Sequence, residues 1–143
     1  MLAHDRDEAR RMFVQAWRKR QEGAVLEPLE ALIADVIALH PEYHALLTCA
    51  EAAIAGEFTP ERGETNPFLH MGMHIALREQ VGTDRPAGIA MLYRRAAERR
   101  GDAHAVEHEM MECLGEVLWR AQRDNAVPDE AAYLECLNRR LSR

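Results

Sequence analysis

Four of the six prolines in this 143-residue chain, Pro28, Pro67, Pro86 and Pro128, stand where a run of apolar residues with helical spacing begins. Proline fixes φ near the helical value and lacks the N–H that a helix interior must bond, so it fits a first turn and interrupts anything later. Asn66 ahead of Pro67 and Asp102 ahead of AHAVEH supply N-cap side chains, and Gly23 and Gly101 supply stops. Almost nothing alternates with the period of a strand. This punctuation predicts an all-α chain, a single-domain bundle of about six helices over residues 1–143.

The first helix is expected from just after Asp5 to about Glu22, with Met12, Phe13, Ala16 and Trp17 inward. The second runs from Pro28 to His40, where Leu29, Leu32, Ile33, Val36 and Ile37 share an arc with His40 in its middle. The third, from Pro67, is apolar nearly all round and belongs at the centre. The fourth runs from Pro86 to Gly101 with Ile89, Leu92, Tyr93 and Ala96 inward. The fifth follows Asp102 with Met110, Met111, Leu114, Leu118 and Ala121 inward, and the last opens at Pro128. GEFTPERGETNP, residues 56–67, reads as a polar loop and a candidate lid or rim.

A hydrophobic share of 48% is enough for one core without staples. The 29% of charged residues sum to a net −6 and are interspersed, with no basic stripe interleaved with aromatics, which argues against a nucleic-acid partner. The run Arg94, Arg95, Arg99, Arg100 reads as a solvated helix face. No signal-peptide core and no membrane-length apolar run is visible, so the expectation is a cytoplasmic protein with no membrane partner. Cys49, Cys113 and Cys136 have no CxxC spacing and read as small buried apolar residues, with no disulfide framework.

Function is suggested by histidine spacing. Six of the seven histidines form pairs four residues apart, His40 with His44, His70 with His74 and His104 with His108, where chance placement predicts roughly 0.3 such pairs. Residues four apart share a helix face, so two imidazoles can hold one metal ion or address adjacent ones. Pro41 follows His40 at once, so the backbone there either kinks or starts a new short helix, which makes the first pair the weakest.

His40 and Glu107 fall on apolar arcs, and a buried imidazole or carboxylate must be satisfied by a bond, a counter-charge or a cation. Six imidazoles exceed the needs of one tetrahedral zinc. The candidate metal ligands are therefore His40, His44, His70, His74, His104, Glu107 and His108, with Glu112 as the reserve carboxylate. They would take one or two transition-metal ions, with an iron-type dinuclear site favoured and manganese or zinc as other cofactors. In donor balance the set resembles the histidine-dominated di-iron bundles of the hemerythrin type, though the order of ligands along the chain departs from that pattern. Dioxygen or a small molecule at open coordination positions, and a second copy of the chain in a homodimer, are the partners such a site allows.

Two rivals come from other classes. His104, Glu107 and His108 also fit H-x-x-E-H, an inverted zinc-hydrolase signature in which the glutamate is the general base. A metal-free helical adaptor, with histidines bonded to carbonyls, is the other. Phosphate-binding glycine loops and serine-nucleophile elbows are absent from the sequence, and the methionines read as core fillers.

Four blocks carry a resemblance over nearly the whole length: the helix with Trp17, LEPLEALIADVIALHPEYHALL at 26–47, GETNPFLHMGMHIALREQ at 63–80 and HAVEHEMMECLGEVLWRAQ at 104–122. The chain resembles a bacterial family known as a domain of unknown function. The resemblance implies no activity or cofactor, but its blocks contain all three histidine pairs.

Overall fold

The computed structural model describes residues 2–58 and 66–142, with side chains from residue 6 onward. Eight α-helices and one 3-10 turn are present and no strand occurs among the described residues: α1 Leu2–Glu22, α2 Pro28–Ala38, the turn Pro41–Tyr43, α3 His44–Thr48, α4 Ala50–Ala55, α5 Pro67–Thr83, α6 Ile89–Arg100, α7 Ala103–Arg123 and α8 Glu130–Leu141. The all-helical expectation holds, and the count is eight rather than about six because two short helices, α3 and α4, follow Pro41. No described helix is long and apolar enough to cross a membrane. Most of the loop expected at 56–67 lies outside the described residues, which stop at Phe58 and resume at Asn66.

Contacts divide the chain into two compact units, 1–75 and 76–143, with the boundary inside α5. In the first unit α1 packs on α2, α3 and α4. Its core holds Phe13, Val14, Ala16 and Trp17 of α1, Ile33, Val36 and Ile37 of α2, Leu47, Ala53, and Phe68, Met71 and Ile75 of α5. Phe13 meets Phe68 edge-on at 5.5 Å between ring centroids. The start of α2 is fixed as the sequence suggests, with Pro28 in its first turn and the Glu30 carboxylate accepting the Glu27 N–H at 2.9 Å.

Arg10 of α1 is polar and buried, 4% exposed. Its guanidinium donates to the carbonyls of Ala53, Ile54 and Gly56 at 3.4, 3.0 and 2.6 Å, and lies over the Phe58 and Phe68 rings. A short helix exposes unpaired carbonyls at its C-terminus. Here one cation bonds two of those of α4, on Ala53 and Ile54, and that of Gly56 just beyond it.

The second unit packs α6, α7 and α8 against one another. Asp102 and Asp129 cap α7 and α8 through the N–H groups of Ala105 and Ala132. Helix α6 begins at Ile89, three residues past Pro86. The Asp84 carboxylate accepts the N–H groups of Gly88 and Ala90 at 3.1 and 3.0 Å, so the cap comes from before the proline. Those bonds, to Ala90 first, hold its carboxyl below the ordinary range. Along α7 the buried arc is Val106, Glu107, Met110, Met111, Cys113, Leu114 and Val117, whereas Leu118, expected inward, is 41% exposed.

The expectation for the cysteines is corrected. Cys113 and Cys136 form a disulfide between α7 and α8, and Cys49 is exposed. The two bonded cysteines are buried as the composition suggested, but as a cross-link, since α7 and α8 bring residues 23 apart to a Cα separation of 5.8 Å. Arg94, Arg95 and Arg99 are exposed, as a solvated face requires, while Arg100 is half-buried; Arg99 and Arg100 also donate to the carbonyls of Leu141 and Arg140 at the end of α8, and Arg100 pairs with Glu109. Lys19–Glu30 and Arg20–Asp35 are surface pairs of the first unit, and such pairs contribute little.

Candidate functional site

Three imidazoles meet in the first unit. The His40 ring lies 5.1 Å from that of His70 and 4.8 Å from that of His74, and the His70 and His74 rings are 5.0 Å apart. Helix α5 places His70 and His74 one turn apart, as the spacing predicts. His40 reaches them from the other side of Pro41, as the N-cap of the 3-10 turn, with φ −125° and ψ 68°. Tyr43 stacks on His40 at 5.6 Å with the planes 9° apart. Burial pushes the Tyr43 phenol up, with help from the Glu42 charge. His40 is 2% exposed and His74 0%, and the two offer ring nitrogens within 4.8 Å of each other.

The tautomer of His40 follows from its hydrogen bond. Its Nδ1 stands 2.7 Å from the Val36 carbonyl oxygen. A carbonyl only accepts, so Nδ1 carries the proton and the lone pair of the neutral ring resides on Nε2. Histidines that ligate metals are oriented in this way, by a bond from the far nitrogen to a carbonyl or carboxylate.

His44 is used differently. Pro41 ends α2, and the chain turns through Pro41–Tyr43 before α3 starts at His44, so the pair does not share a helix face. Its Nε2 donates to the Ile37 carbonyl at 2.8 Å and its ring lies 4.4 Å from that of Trp17. The structure thus brings His40 to the α5 histidines and sets His44 against α1 and α2.

In the second unit His104 and His108 share one face of α7, with ring centroids 4.4 Å apart and Nε2 atoms 3.1 Å apart. Two nitrogens bound to one ion at about 2.1 Å, with angles between octahedral and tetrahedral, stand about 3.0–3.4 Å apart. The observed separation therefore fits a shared ion as well as it fits a hydrogen bond between two neutral rings. The pair is open to solvent, His108 exposed and His104 half-buried.

The carboxylates engage arginines. Glu107, 4% exposed, accepts from Arg78 Nε at 3.2 Å through Oε1 and from the Arg78 terminal nitrogen at 3.3 Å through Oε2. This two-pronged pair offsets a charge that burial would otherwise penalise. Glu112 is exposed and pairs with Arg140 of α8. Arg78 is the site-forming residue that the sequence reading passed over. The signal was present, because Arg78 is one turn after His74 on a helix otherwise apolar nearly all round.

No curated protein and no solved structure matches the chain. A family does: "Domain of unknown function (DUF1841)" matches residues 5–139, nearly the full length and all the histidines described above, and the chain belongs to that family.

Proposed function

We propose that this protein binds one or two transition-metal ions through its histidines, with His40, His70 and His74 as the donors of the first unit and His104 and His108 as those of the second. The observation that carries the reading is the anchored His40 ring: with Nδ1 bonded to the Val36 carbonyl, its lone-pair nitrogen is Nε2, and its ring packs on those of His70 and His74. The 3.1 Å between the His104 and His108 Nε2 atoms supports the second donor pair. Two ions give both sets a role.

The donor chemistry ranks the metals. Imidazole suits iron and zinc, whereas manganese prefers oxygen ligands. Glu107 and Glu112 are engaged by Arg78 and Arg140, and His44 by Ile37, so the reading leaves these three outside the donor set. Iron is the first expectation, and an ion with open coordination positions would support redox or oxygen chemistry. The hydrolase reading asks Glu107 to serve as general base, whereas both of its oxygens accept from the Arg78 guanidinium, which favours the ion-pair role.

The test is metal content. Untagged protein incubated with iron(II) without oxygen, and separately with zinc, then desalted, is expected to retain at least one ion per chain. His70→Ala/His74→Ala and His104→Ala/His108→Ala should each lower the amount retained. A parent protein that holds no more metal than a buffer blank, with helix content intact, overturns the proposal in favour of a metal-free adaptor.

A further inference from the structure

A cleft of about 300 Å³ opens in the second unit, apart from the histidines. Leu77 of α5 and Met110 of α7 form its inner end, both fully buried, and Val81 and Gly82 lie toward its rim. Three polar side chains face it: Arg78, Glu107 and Tyr93. Concave, mostly apolar space with a few convergent polar groups is the usual form of a small-molecule site.

The charge balance of this cleft specifies the chemistry of its ligand. Arg78 and Glu107 neutralise each other through two hydrogen bonds. An anionic head drawn to Arg78 meets Glu107, and a cationic head drawn to Glu107 meets Arg78, so either loses hydration without a net partner. An uncharged head with both donor and acceptor atoms loses neither. Tyr93 adds a phenol at the same place, kept in its donor form because burial, and next the Glu107 charge, push its pKa up despite the opposing Arg78. A volume of this size, filled at organic packing density, holds about ten non-hydrogen atoms.

We propose that this cleft is a binding site for a small uncharged molecule with an aliphatic body and a hydroxyl or amide head, the body lying along Leu77, Val81 and Met110 and the head meeting Tyr93 and the Arg78–Glu107 pair. Gly82 provides a clean way to close the cleft: a Cβ there meets no atom within 4 Å and its φ is ordinary, so a large side chain can be added at the rim without strain.

The experiment titrates the full chain with three probes of one length, hexanamide, hexanoate and hexylammonium, and follows the methyl resonances of Leu77, Val81 and Met110. Hexanamide should shift them saturably in the millimolar range, with both charged probes weaker by about ten-fold. Gly82→Phe should abolish the shifts while the rest of the spectrum is preserved, and Tyr93→Phe should weaken hexanamide by about five-fold. Absence of a saturable shift with hexanamide, a charged probe that binds as tightly, or binding undiminished in Gly82→Phe would each overturn the proposal.

Discussion

The two units satisfy their buried polar groups by different means. In the first, side chains turn to the main chain: Arg10 to three carbonyls at the end of α4, His40 to Val36 and His44 to Ile37. In the second, side chains chiefly meet one another: Arg78 with Glu107, Tyr133 with Gln80 and Cys113 with Cys136. Carbonyl acceptors do not titrate and cannot be reduced, whereas phenols, carboxylates and disulfides respond to pH or redox conditions. The histidines divide along the same line, since His40 and His74 are buried while His108 is exposed. One spacing thus yields one histidine cluster built into a core and one histidine pair laid on a surface.

The largest effect should come from the cross-link. Closing a loop of 23 residues removes freedom from the unfolded chain, so Cys113→Ser/Cys136→Ser should cost about 3 kcal/mol in urea denaturation and accelerate amide exchange in α8. A loss under about 1 kcal/mol would show that packing alone holds α8, and would erase that contrast between the units.

The histidines sharpen the contrast at an intermediate scale. In metal-free protein His74→Ala removes a fully buried ring and should cost about 2–3 kcal/mol, whereas His108→Ala should stay within about 0.5 kcal/mol. Equal costs at the two positions would break the distinction between a core set and a surface set.

Tyr133 gives a smaller loss than the cross-link or His74, and a pH signature. Its hydroxyl donates to Gln80 Oε1 at 2.6 Å, so Tyr133→Phe should cost about 1 kcal/mol at neutral pH. Burial raises the phenol above its usual 10.0. A group whose folded pKa is raised contributes stability that is complete below the unfolded value and is lost as pH rises toward the folded one. The parent should therefore lose stability above pH 10 more steeply than Tyr133→Phe. Parallel alkaline limbs would remove this residue from the account.

Local signals made most of the helices legible. Pro28, Pro67 and Asp102 mark starts that the structure keeps to the residue, because a cap or a first-turn proline acts within four residues of itself. Helix α4, AEAAIA, carries no such signal and depends on Arg10, some forty residues away. The bond from Cys113 to Cys136 likewise depends on two helices packing, which spacing within either cannot show. Of the site, the histidine spacing was readable and the roles were not. His40 and His44 differ because one nitrogen finds Val36 and the other Ile37, and Glu107 acquires Arg78 across 29 positions.

The clamp of Arg10 also bears on what holds the shortest helices of the first unit. Helices of five and six residues are too short to persist alone in water, since the cost of nucleation is spread over too few bonds. α4 is completed by a guanidinium that α1 holds in place. Its helicity is therefore borrowed from docking onto α1, and a chain deprived of that one arginine would leave the carbonyls of Ala53, Ile54 and Gly56 without this donor.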